Sequence, residues 1–144
     1  MNKLLLLLSF GFFCHEVYSQ EHSIGQYTTI YSDQFLDIEA AEGVFTDVST
    51  NKSHQRYFLK YTNKTSEDIT FSFVRSTEYQ SDCTSCPSSL SESIFNIDIQ
   101  ANEIKEFSSK NSDKRFYIFV KDNNNWIKNQ LISFEITTIQ YNLK

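Results

Sequence analysis

Tyr57-Phe58-Leu59-Lys60-Tyr61-Thr62, then Asn63-Lys64-Thr65-Ser66-Glu67-Asp68, then Ile69-Thr70-Phe71-Ser72-Phe73-Val74, is the stretch whose reading decides the fold. Successive side chains of a strand point to opposite faces, so a half-buried strand repeats its apolar residues every second position. Ile69, Phe71 and Phe73 alternate with Thr70, Ser72 and Val74, and Tyr57, Leu59 and Tyr61 alternate with Phe58, Lys60 and Thr62. The segment between them is polar and turn-forming, which reads as a hairpin connection.

The same period recurs outward from this stretch. Phe95, Ile97 and Ile99 alternate with Asn96, Asp98 and Gln100, the cleanest half-buried strand of the chain. Phe116, Ile118 and Val120 follow the pattern, as do Ile132, Phe134 and Ile136. Leu36, Ile38 and Ala40 make a weaker strand, with short ones at Tyr27–Tyr31 and Val44–Val48. Ile38–Phe45, with its Glu-Ala-Ala-Glu run, is the best place for one helical turn. Ser76–Ser93 reads as a long loop, and Lys110–Lys114 and Asp122–Asn125 as short ones. The expectation is an all-β fold: a single antiparallel β-sandwich of about seven to eight strands over residues 20–144. A closed barrel is the structural alternative, because strand count alone does not decide closure. Aromatic residues are 15% of the chain, enough large apolar surface for a core that needs no staples.

The first 19 residues read differently. Lys3 precedes an apolar run, Leu4–Phe13, that is shorter than the ~20 residues of a membrane span. Val17-Tyr18-Ser19 then offers a cleavage site, so residues 1–19 read as an export signal removed before Gln20. A retained anchor is one alternative. A lipoprotein signal ending at Cys14 is another, disfavoured by the bulky Phe12-Phe13 before it. The expected location is secreted or periplasmic. Lys3 and Glu16 offset each other, so the mature chain keeps the formal charge of −5. An acidic chain without a Lys/Arg cluster has no footprint for a phosphate backbone, so nucleic acid is not expected as a partner. No second apolar run is long enough for a membrane span in the mature chain.

Cys83-Thr84-Ser85-Cys86-Pro87 is the sharpest local feature. With Cys14 gone, Cys83 and Cys86 are the remaining pair, and a disulfide is the default in an oxidising compartment. Such a bridge closes a small ring, so its role is to stiffen a loop more than to stabilise the fold. A redox dithiol is the alternative, but no βα unit surrounds Cys83, and Asp82 opposes thiolate formation. A zinc site would need two further ligands, and His22 and His54 lack partner spacing. No nucleophile elbow, metalloprotease helix, phosphate loop or calcium loop is present. The carboxylate pairs Glu39/Glu42 and Glu67/Asp68 lie in solvated stretches without the setting of a glycosidase pair. No catalytic residue, no metal and no cofactor is expected. Asn51-Lys52-Ser53 and Asn63-Lys64-Thr65 fit a glycosylation sequon and read as turns. Trp126 after Asp122–Asn125 and, more weakly, Tyr79 are candidate binding aromatics.

Tyr57–Thr65, Asp68–Phe73, the Cys-Thr-Ser-Cys loop and Ile97-Asp98-Ile99-Gln100-Ala101-Asn102-Glu103 together resemble small uncharacterised secreted proteins of Gram-negative bacteria. That resemblance implies an immunoglobulin-like sandwich and an exported location, and it carries over no site residues. The functional expectation is an exported, non-enzymatic binding or interaction module for a protein or glycan partner. Its candidate surface is Glu78–Ser91, clipped by Cys83 and Cys86, with Tyr79 and Trp126 as possible contacts. A thiol–disulfide redox protein or redox chaperone using the Cys-Thr-Ser-Cys motif, and a structural envelope or matrix protein, are the rival classes. N-terminal sequencing of protein from its native host should begin at Gln20; an intact Met1 or a lipid-bearing Cys14 would overturn the export reading.

Overall fold

The computed structural model describes residues 20–81, 88–108, 113–125 and 127–143. Met1–Ser19, Cys83, Cys86 and Trp126 lie outside the described residues. The period-two pattern becomes nine strands: β1 (Gln20–Ile24), β2 (Thr28–Ser32), β3 (Leu36–Asp47), β4 (Lys52–Asn63), β5 (Ile69–Ser81), β6 (Ser89–Ile99), β7 (Ile104–Glu106), β8 (Tyr117–Asp122) and β9 (Asn129–Leu143). A 3-10 turn, Lys114–Phe116, is capped by Asp113, whose carboxylate accepts from the Arg115 N–H at 2.9 Å.

Every pairing is antiparallel. One sheet runs β1-β3-β4-β7, with β2 also on β3 and β8 also on β4; the other runs β6-β5-β9. The architecture is an all-β sandwich of two antiparallel sheets. The count is nine strands where seven to eight are expected: the short β1 and β7 carry too little pattern to be seen in the sequence, and the segments Leu36–Ala40 and Val44–Val48, read as two strands, run together in β3.

The core forms where the inward rows of the two sheets meet. Leu36, Ile38, Leu59, Tyr61 and Ile118 face Ile69, Phe71, Phe73, Ile97 and Ile99. Phe71 lies 5.6 Å from the Tyr61 ring and 6.0 Å from Phe73, which stacks on Phe95 at 5.5 Å. Tyr61 is completely buried, and its hydroxyl donates to the Arg115 carbonyl at 2.6 Å, so the phenol costs little to bury. A second, smaller cluster of Phe45, Phe58 and Phe107 covers the outer face of the larger sheet. This is why Phe58, on the polar side of the β4 alternation, is buried too. Gly43 is required where β1 meets β3: a Cβ there would stand 2.2 Å from the Ser23 carbonyl oxygen.

Four local expectations differ from the structure. Asn63–Asp68 is no hairpin: β4 pairs with β3, β7 and β8, whereas β5 pairs with β6 and β9, so the segment carries the chain from one sheet to the other. Ile38–Phe45 is strand, because β1, β2 and β4 supply ladder partners on both sides and override its helix propensity. Ser76–Ser93 is mostly ladder, with register unbroken from Ile69↔Ile99 to Tyr79↔Ser89. Ile132, read as inward, is a bulge residue 54% exposed, since the register steps from Glu78↔Ser133 to Tyr79↔Leu131 and passes over it.

Phe71 is fully buried at the centre of the sandwich. Phe71→Ala should destabilise the fold by about 3–5 kcal/mol in urea denaturation, from lost transfer energy plus the cavity left behind. A loss below about 1 kcal/mol would place this face of β5 in solvent.

Candidate functional site

Tyr79 does not present a free binding aromatic. It lies inside β5, half-buried, and its hydroxyl donates to the Phe119 carbonyl at 2.8 Å, which ties the smaller sheet to β8. Cys83, Cys86 and Trp126 fall outside the described residues. The histidines weighed as zinc ligands pack edge-on against aromatic rings, His22 on Phe107 at 5.7 Å and His54 on Phe119 at 5.4 Å. Burial, followed by the Arg56 charge, holds the His54 pKa below its ordinary value. Among the described residues no trio of metal-ligating side chains is gathered, and no helix is long and apolar enough to cross a membrane.

The perturbed groups of the interior act as ties. Asp33 accepts from the Tyr31 and Tyr141 hydroxyls, both at 2.7 Å, and from the Phe35 and Leu36 N–H groups at 2.8 and 2.9 Å. Burial alone would raise its pKa, but these bonds together hold the carboxyl below the ordinary range. Burial and the Asp33 carboxylate raise the Tyr141 phenol in turn. The arrangement pins the end of β9 to the turn between β2 and β3. Arg56, 7% exposed, lies between the Phe45 and Tyr117 rings at 3.9 and 4.1 Å. Arg75 points inward over the Phe95 ring and donates to the Lys114 and Tyr117 carbonyls.

The outer side of β6-β5-β9 is different. Leu90 and Ile94, 69% and 73% exposed, are the most exposed large apolar residues of the described chain. Both lie on β6 out of phase with the buried Ile97 and Ile99, so they stand on the face turned away from the core. Leu90 sits opposite Glu78, and Ile94 opposite Val74. Glu92 lies between them, and Asp98 and Glu135 extend the acidic surface. Arg75 is the one basic residue of these three strands, and it points inward. A groove of about 320 Å³ runs here, lined by Ser76, Glu78, Leu90, Ser133, Phe134 and Glu135.

Among the described residues, the backbone edge of β6 is covered at one end only. Arg115 Nη1 donates to the Asn96 carbonyl at 3.0 Å, and Lys105 Nζ donates to the Asp98 carbonyl. In an antiparallel strand the N–H and C=O of one residue point to the same side, and alternate residues share that side. Because β6 has no bulge against β5, Leu90, Glu92 and Ile94 turn their N–H and C=O groups to the same outer side as Asn96 and Asp98. The pairing of β6 among the described strands is with β5. On the opposite edge, β9 is interrupted by the Ile132 bulge and by a second irregularity at which Thr138 adopts φ 53°. Bulges of this kind blunt an edge.

Sequence reasoning included Leu90 in its candidate surface, as part of a loop, and passed over Ile94. The available signal was the change of phase: apolar residues at even positions up to Ile94, then at odd positions from Phe95 to Ile99. Compared with known proteins, the chain matches no family model, no curated protein and no solved structure. The site therefore rests on its own geometry.

The Asp33 tie makes a pH-dependent contribution. A carboxyl whose folded pKa is depressed stabilises the fold above its unfolded value of about 3.9, and that contribution is lost as pH falls through the folded value. Tyr141→Phe removes one of the bonds that depress it. The variant should lose roughly 1–3 kcal/mol at neutral pH, and its acid unfolding should begin at a higher pH than that of the wild type. Circular dichroism during acid titration reads the shift; an unchanged acid midpoint would show that the Asp33 carboxylate contributes nothing.

Proposed function

We propose that this chain is an exported, non-enzymatic binding module that engages a partner through the smaller sheet. The observation that carries this reading is the bare stretch of β6, where two strongly exposed apolar side chains flank a carboxylate on a strand edge that has no backbone partner among the described residues. Such an edge is a liability that folded proteins usually cover with a lysine, a proline, a bulge or another element. The Asn96–Asp98 half is covered in this way, by Arg115 and Lys105. The Leu90–Ile94 half carries no such protection among the described residues. Catalysis has less support, because Asp33, Tyr141 and Arg75, whose pKa values are displaced, make hydrogen bonds that join one part of the sandwich to another.

Panning a random peptide-display library on the folded protein tests the reading. Enrichment of a related set of sequences, lost with Leu90→Ser/Ile94→Ser protein, is the expected result. Failure to enrich any sequence would overturn it. So would turnover in a disulfide-reduction assay abolished by Cys83→Ser, which would assign the chain to thiol–disulfide chemistry.

A further inference from the structure

We infer that the Leu90–Ile94 segment of β6 accepts an extended segment of a partner protein as an added strand, and that this segment carries an apolar–basic–apolar pattern on alternate residues. The inference rests on the binding reading above and names the edge used and the chemistry of the occupant.

The backbone comes first. Leu90, Glu92 and Ile94 turn three N–H and three C=O groups away from β5, in step with the Asn96 and Asp98 carbonyls that Arg115 and Lys105 already occupy. An added strand supplies those partners at regular spacing, which is how sheet edges recognise extended peptides. The two cations set its limit, because a strand running beyond Ile94 toward Asp98 would have to displace them. The recognised segment is therefore short, about five residues facing Leu90–Ile94.

Side chains then set the preference. Residues of the added strand directly opposite Leu90 and Ile94 would extend the outer face of the sheet, so apolar side chains there cover the two exposed ones. The residue opposite Glu92 meets a carboxylate on a face that also bears Glu78, Asp98 and Glu135 and no outward cation. Lysine or arginine suits that position. The intervening residues would lie beside Ser91 and Ser93, both exposed and polar, so small polar side chains serve there. The same charge pattern disfavours a second copy of this chain as the occupant. Pairing two β6 edges would join two acidic faces into one, and like charges across a strand pair are destabilising.

The probe is a fluorescein-labelled peptide, Thr-Val-Thr-Lys-Thr-Val-Thr, titrated against the whole protein and followed by anisotropy and by amide hydrogen exchange. It should bind, and it should slow exchange at the Leu90, Glu92 and Ile94 N–H groups. N-methylation of its valine and lysine amides should abolish binding, whereas N-methylation of the internal threonine amides should leave it within about twofold, since only one edge of the peptide faces β6. Glu92→Lys, a surface change, should weaken the peptide roughly fivefold and favour a counterpart with glutamate in place of lysine. Equal tolerance of both methylation patterns, protection on β9 or the larger sheet, or no binding would overturn the inference. So would a dimer that protects the same N–H groups without peptide. Library panning separates the two claims: sequences enriched on another surface would sink this inference and leave the binding reading standing, and no enrichment would sink both.

Discussion

The amide of Asn63 holds the sandwich closed at one end. The residue is 1% exposed at the end of β4, and its side chain makes four hydrogen bonds. Nδ2 donates to the Glu67 and Gln100 carbonyls, both at 2.8 Å, and Oδ1 accepts from the Thr65 N–H and hydroxyl at 2.9 and 2.8 Å. Its own N–H donates to the Glu103 carbonyl, the Asn102 N–H to that of Thr65, and the Lys64 N–H to that of Phe35. One buried side chain thus joins the crossover from β4 to β5 to the crossover from β6 to β7, and the Lys64 N–H beside it adds the turn before β3. A buried amide is tolerated only when its donors and acceptors are all met, and here they are. An apolar residue in its place would leave two carbonyls and two donors without this partner.

The tie explains where the molecule is closed and where it is open. Near Asn63 the inward rows meet as Leu36, Leu59, Tyr61, Ile69, Phe71, Ile97 and Ile99, all essentially buried. Farther along, the inward positions of β6 turn to Ser91 and Ser93, while β5 and β9 keep half-buried aromatic contacts with the larger sheet, Tyr79 with Phe119 at 6.3 Å and Phe134 with Tyr57 at 5.0 Å. The ladder β5–β6 continues past the core, supported by β9 on one side and by nothing described on the other. The bare edge at Leu90–Ile94 belongs to the part of β6 whose inward positions are serines.

The arginines set the electrostatics of that surface. Arg75 is drawn inward by the Phe95 ring and two carbonyls, and Arg115 is held by Asp113 at 2.6 Å while capping the Asn96 carbonyl. A guanidinium suits such work, because its planar fork reaches several carbonyls at once and stacks on aromatic faces. The consequence is an outer face whose described strands contribute carboxylates and no outward cation of their own, on a chain whose net charge is already −5. Charge placement, more than total charge, makes the outer face of the smaller sheet acidic.

Period-two alternation was legible in the sequence and determined the fold class, because burial of one face is written directly into the order of residues. Phe71, Phe73, Ile97, Ile118 and Phe134 were readable as inward for that reason; the first four are buried, and Phe134 is partly buried against the core. The pattern says that a strand has an inner face; it does not say which strand lies beside it. Only the tertiary structure decided that Asn63–Asp68 crosses between sheets, that the Ala-Ala run of β3 is held extended by neighbours on both sides, and that Ile132 is turned out by a bulge. The candidate site was half legible: Leu90 and Ile94 stand in the sequence as apolar residues out of phase with the core, but their bare edge depends on where Arg115 and Lys105 reach, from segments far along the chain. A residue's own neighbours in sequence set its propensity and its face, whereas pairing, coverage and exposure are properties of contacts between segments, and those exist only once the chain has folded.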